Sequence, residues 1–139
     1  MKEPEPKLKP KWRVVNQRTA EVILPFLEIA DHFWTRFKGL QGRADLEPGH
    51  GLLLVPCSSV HTFMMRFPID LILLDRTGKV LGVKSTVRPW RMVAPVSQTY
   101  AIIEVKGGSA LAVSPGDLLR LERVQGQELP ASLGFLLKP

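Results

Sequence analysis

From residue 51 onward the chain alternates short apolar runs with glycine, proline and aspartate, and that rhythm leaves little besides a sheet of short strands. The runs are "GLLLVP" (51–56), "SVHTFMM" (59–65), "IDLILLD" (69–75), "KVLGVKSTV" (79–87), "TYAIIEV" (99–105) and "LLRLERV" (118–124). Each is short and bounded by turn formers, which favours strands over helices. "DRTG" (75–78) lies between two such runs and predicts a hairpin, and "SPGD" (114–117) predicts a turn of the same quality. Upstream, "RTAEVIL" (18–24) has strand character that Pro25 should end or bend. One segment breaks the pattern. In "EIADHFWTRFKGLQG" (28–42), Ala30, Phe33, Trp34 and Phe37 recur at helical spacing, with Asp31 as N-cap and Gly39 as terminator. The expectation is a mainly β, β-rich α+β chain: a jelly-roll-like sandwich or partly closed barrel with one short helix.

At 139 residues this is one domain, and 45% hydrophobic content is enough for a core. The net charge of +6 is unevenly spread, because residues 1–13 hold five Lys/Arg against two Glu. A Pro/Lys/Glu segment of that kind reads as a disordered basic tail (1–13) preceding a globular domain (14–124), with 125–139 packing on the body. Nucleic-acid binding is not expected, since no basic face interleaved with aromatics follows the tail. No apolar run approaches the roughly 20 residues of a membrane helix, and the N-terminus lacks an apolar signal core. A cytoplasmic protein without a membrane partner is therefore expected, and the single cysteine, Cys57, suits a reducing compartment.

Chemistry-bearing residues gather between 57 and 91. Cys57 and His61 could form a nucleophile pair only if "CSS" turns sharply, because extended backbone would set them roughly 13 Å apart. A thiol beside an apolar strand is more often a small buried hydrophobe. His32, His50 and His61 are scattered with no second cysteine, so neither a metal site nor a cofactor is expected. Arg66 and Asp70 flank Pro68 and could pair across the bend, either as a buried clasp or as part of a site. "RPWR" presents Arg88 and Arg91 around Trp90, an indole platform with forked donors and no nearby acid. The bland alternative is Trp90 plugging the end of the sheet with the arginines solvated.

Several of these pieces occur in a familiar order: "GLQGRADL" (39–46), "GLLL" (51–54), "FPIDLILLDRTGKV" (67–80), the proline of "RPW", "EVKGG" (104–108) and "PGD" (115–117). In this the chain resembles domain-of-unknown-function family 192, a bacterial and archaeal group of small proteins. The resemblance implies a jelly-roll-like β sandwich with a small helical element, and no established activity. Many relatives look exported behind a signal sequence, which this chain does not show. Much of the family has Trp-Met-Lys-Asn-Thr ahead of the Pro-x-Asp motif, where this chain has Thr62-Phe63-Met64-Met65-Arg66. A role for that Lys and Asn therefore does not transfer. Arg43, Pro68, Asp70, Asp75, Gly78 and Asp117 do map onto motif positions, with Asp75, Gly78 and Asp117 as turn residues.

The function expected from these features is binding of a small polar or anionic ligand, such as a saccharide, by His61, Arg66, Asp70, Arg88, Trp90 and Arg91. Two alternatives stand beside it. One is a hydrolase or isomerase using His61 and Asp70 as an acid–base pair. The other is an interaction module that docks a protein partner on "FMMRFP" and should show a contiguous apolar patch.

Overall fold

The computed structural model describes residues 12–32, 36, 39–110 and 112–124. Seven strands carry the fold: β1 (Trp12–Asn16), β2 (Val22–Ala30), β3 (His50–Leu54), β4 (Ile69–Leu74), β5 (Val80–Val87), β6 (Ala101–Lys106) and β7 (Leu119–Arg123). They form one sheet in the order β5-β4-β6-β3-β2-β1-β7. All neighbouring pairs are antiparallel except β2 and β3, which run parallel through Phe26↔His50 to Ala30↔Leu54. A parallel pair needs a crossover, and residues 31–49 supply it. The mainly β expectation therefore holds.

Both faces of the sheet are covered, which is why β4 and β6 read as near-continuous apolar runs. Ile72, Leu74, Ile103 and Val105 pack on one face with Trp12, Leu27, Leu53 and Leu121. Leu71, Leu73 and Ile102 pack on the other with Leu40, Leu52, Leu54, Met65 and Phe67. The sheet bends until its edges touch at one end, through the single bridge Lys79↔Leu118. The two predicted turns make that junction. Gly78 accepts from the Leu119 amide at 3.0 Å, and the Val80 amide donates to Asp117 at 2.8 Å. Asp75 organises the first turn by accepting from the Thr77 and Lys79 amides at 2.8 and 3.1 Å. The edges do not zip further into a closed barrel.

Three local expectations are corrected and one is narrowed. Pro25 does not end its strand: β2 continues to Ala30, and the β1–β2 register slips at the proline, between Val14↔Leu24 and Trp12↔Leu27. A proline at that irregularity has no ladder hydrogen bond to lose. Ile29 and Ala30 consequently belong to a strand and not to a helix start. Among the described residues helical geometry is found at Arg36, whose amide donates to the His32 carbonyl at 2.9 Å; Phe33, Trp34 and Phe37 lie outside the described residues. β1 begins at Trp12, within the stretch read as a tail, and its Trp12 is only 6% exposed. "SVHTFMM" is no strand: it contributes one bridge, His61↔Met92, and then turns, with Met64 at φ +61°. The readings for residues 1–11 and 125–139 lie outside the described residues.

Candidate functional site

Asp70 and Glu104 are the two acids that interrupt the central apolar strands, and the register places them on opposite faces of the sheet. Asp70 pairs with Val105, on the face of Ile72 and Leu74, whereas Glu104 pairs with Leu71 and Leu52 on the other face. Alternation along a strand is enough to separate them.

Asp70 is 1% exposed and fully occupied by backbone amides. Its Oδ1 accepts from the Thr86 amide at 2.7 Å, and its Oδ2 accepts from the Gly108 and Ala110 amides at 2.9 and 3.0 Å. Thr86 sits at φ +52° in the irregular stretch of β5, so the carboxylate fixes a strained bulge and the turn after β6 together. The neighbouring Gly107 donates to the Pro68 carbonyl at 3.0 Å, and an added Cβ would lie only 3.1 Å from that oxygen. "FPID" and "KGG" are thus one clamp. Arg66 is exposed and takes no part in it, and among the described residues it forms no ion pair.

Glu104 is the opposite case. It is 3% exposed, and its Oε2 has no hydrogen-bond partner among the described residues. It lines a cleft of about 270 Å³ with mainly apolar walls, shared with Arg36, Leu40, Gln41, Cys57 and His61. Burial pushes the Glu104 carboxyl up from 4.5 to about 7, against the opposing pull of the Arg43 charge and the Leu40 amide. The "GLQGR" segment folds directly over it. Gly39 adopts φ +49°, and a Cβ there would meet the two carboxyl oxygens at 3.3 and 3.4 Å. Arg43 is in turn held by Glu28 at 2.8 Å. At the rim, the Gln41 amide nitrogen lies 3.4 and 3.3 Å from the two ring nitrogens of His61. Arg36 is braced by the carbonyls of Asp31 at 2.7 Å and Val55 at 3.4 Å.

Cys57 borders the same cleft, but its thiol donates to the Ser59 carbonyl at 3.1 Å and burial raises its pKa. A thiol so placed is a poor nucleophile at neutral pH. Among the described residues, no three His, Cys, Asp or Glu side chains converge as metal ligands.

The remaining expected site residues form a separate surface beside the cleft. Phe63 lies between His61 and Trp90, tilted against the first and stacked on the second, with ring centroids 5.1 and 6.1 Å apart. Trp90 is 62% exposed, so it does not plug the sheet. The "RPWR" turn is fastened to buried Thr62, whose hydroxyl donates to the Arg88 carbonyl at 2.6 Å and accepts from the Arg91 amide at 2.8 Å. Thr62→Val keeps the shape but strands those partners, and we expect a loss of about 1–3 kcal/mol in urea unfolding with an unchanged m-value. An unchanged midpoint would show that the hydroxyl does not hold the turn. The structure therefore brings together His61, Trp90, Arg88 and Arg91, and sets Asp70 apart on the far face.

Sequence reasoning missed Glu104 as a site residue, although the signal was available. It is a lone acid in "AIIEVK", an apolar strand, which is the feature that drew attention to Asp70.

Comparison with known proteins agrees with this architecture. A UPF0127 protein of Thermococcus gammatolerans is 31% identical over 132 residues, covering 88% of this chain and 84% of that one. A UPF0127 protein of Pyrococcus abyssi is 36% identical over 99 residues, covering 66% and 81%. Among solved structures, a protein of unknown function from Novosphingobium aromaticivorans superposes with a TM-score of 0.70 at 22% identity, covering 86% of this chain and 91% of that one. A putative transcription regulator from Sinorhizobium meliloti gives 0.67 at 22%, covering 85% and 97%, and at that identity the likeness concerns the fold alone. The family model DUF192 (Uncharacterized ACR) matches residues 14–121, from β1 to β7 and across every motif that builds the clamp and the cleft, so the chain belongs to the DUF192 family.

Proposed function

We propose that this protein is a small-ligand-binding domain whose binding site is the cleft over Glu104. The observation that supports this reading is Glu104 in the wall of a cleft of about 270 Å³, its buried Oε2 without a hydrogen-bond partner among the described residues. A buried carboxyl oxygen without a partner is costly, and such groups are retained where a ligand completes them. The ligand is a small molecule with an apolar body and one hydrogen-bonding head group. A carboxyl that titrates near 7 donates to a carbonyl when protonated and accepts from an amine when ionised. The mainly apolar walls suit such a molecule better than a saccharide, which needs many polar partners. His61 and Gln41 form the polar side of the entrance. As part of the same reading we place the protein in the cytoplasm, where Cys57 stays reduced.

A thermal-shift screen of small amides, lactams and amines tests the proposal. At a hundredfold excess over Kd, a ligand contributes about 2.7 kcal/mol, or a rise on the order of 10 °C in Tm. Hits should shift the amide resonances of Gly39 and Gln41 and lose affinity in Glu104→Gln. A library without hits, or hits that bind Glu104→Gln equally well, would refute the assignment.

The acid–base alternative built on His61 and Asp70 has no geometric support, since both Asp70 oxygens are committed to amides on the far face.

A further inference from the structure

Beside the cleft, two adjoining turns hold four large apolar side chains in solvent. Phe63 is 38% exposed, Met64 61%, Trp90 62% and Met92 79%. Their arrangement is enforced by the backbone. Met64 and Trp90 sit at φ +61° and +64°, a region that side chains of this size rarely adopt. The turns are tied together by Thr62, by the His61↔Met92 bridge and by the Phe63–Trp90 stack. Backbone strain and solvent-exposed hydrophobes at the same positions both disfavour the isolated fold, and both are accounted for when another phase receives the side chains.

Three exposed cations belong to the same segments as these turns. Arg66, Arg88 and Arg91 are exposed, and none forms an ion pair among the described residues. Lys84 precedes Arg88 and Arg91 on β5, and residues 84–103 contain no acidic residue. Apolar tips within a basic collar are complementary to an anionic lipid surface: the rings and thioethers enter the headgroup layer while the guanidinium groups meet phosphates. A single-stranded nucleic acid fits less well. Two of the four apolar side chains are methionines, which offer no base-stacking face, and the two aromatic rings already stack on each other.

We propose that the protein docks peripherally on an anionic membrane through the paired turns that carry Phe63, Met64, Trp90 and Met92. The absence of a long apolar run led to an expectation of no membrane partner, but a patch assembled from residues of two separate turns leaves no such run to see. This docking is independent of the ligand in the cleft.

The test is co-sedimentation of the full chain with unilamellar vesicles of phosphatidylcholine, alone or with about a third phosphatidylglycerol, at low and moderate salt. The expected result is sedimentation with the anionic vesicles alone, accompanied by a blue shift of tryptophan emission. Trp90→Ser with Met92→Ser should lower the partition coefficient by roughly tenfold or more, and Arg88→Glu with Arg91→Glu should abolish the preference for anionic lipid. All four positions are exposed, and an unchanged Tm confirms that the variants fold. The variants retain the Lys-rich N-terminal segment, so a loss of binding reports the turns. Failure to sedimentate, binding that the variants leave intact, or tight binding of an oligonucleotide in place of vesicles would each overturn the proposal.

Discussion

Asp70→Ala is expected to be among the most destabilising single substitutions in the chain, at about 3–5 kcal/mol. The change removes the acceptor for three backbone amides at once: Thr86, Gly108 and Ala110. Two structural features then lose their anchor. One is the left-handed Thr86 in β5, and the other is the turn that carries β6 toward Ala110 in the core. For a domain of this size the loss corresponds to a fall on the order of 10–20 °C in Tm. Asp70→Asn should fall between wild type and alanine, because an amide side chain must turn its NH₂ toward one of the amide donors. Arg66→Ala is the informative control. An exposed arginine with no ion pair should change stability by less than about 0.5 kcal/mol. If Arg66→Ala costs as much as Asp70→Ala, then the clasp is an Arg–Asp pair and the amide clamp is a misreading.

The same pair of residues shows where sequence reasoning reaches its limit. A buried acid at the entry to an apolar strand needs partners, and that much is visible in "FPID". Sequence offers the nearest cation, Arg66, whereas the fold supplies backbone amides from residues 86, 108 and 110, whose proximity depends on sheet order. Turns were legible because their chemistry is local: Asp75 and Gly78, and Asp117 with its preceding glycine, act within four residues. The parallel β2–β3 pairing was not, because nothing in either strand marks its partner's direction. "SVHTFMM" misled for a related reason. Its alternation matches a strand, but Thr62 and Met65 point inward while Phe63 and Met64 between them are exposed, a pattern that only a turn produces. The cleft was the least legible feature, since Gly39, His61 and Glu104 come from three distant segments that meet only when Gly39 folds over Glu104 of β6.

Glu104 should impose a pH dependence on stability that Glu104→Gln removes. In the folded protein the carboxyl holds its proton up to about 7, whereas in the unfolded chain it releases the proton near 4.5. Between those values the unfolded state binds fewer protons than the native state, so stability falls as pH rises. The contribution is fully present below pH 4.5, declines through the window to pH 7, and levels off above it, for a total on the order of 3 kcal/mol. Glutamine has nearly the same shape and no charge. Its Tm should match wild type near pH 4.5 and exceed it by on the order of 10 °C at pH 8. Other groups that titrate in this range move both curves together, so the difference between them isolates Glu104. Parallel curves would mean that the carboxyl is solvated in solution and that the buried-acid account is wrong. A protein that keeps an acid where glutamine would be more stable sacrifices stability at that position, and such sacrifices concentrate where function requires them. Measured on the same variant, a gain in stability together with a loss of ligand binding separates a binding group from a merely tolerated one. A gain with binding unchanged would leave Glu104 without a role in the cleft.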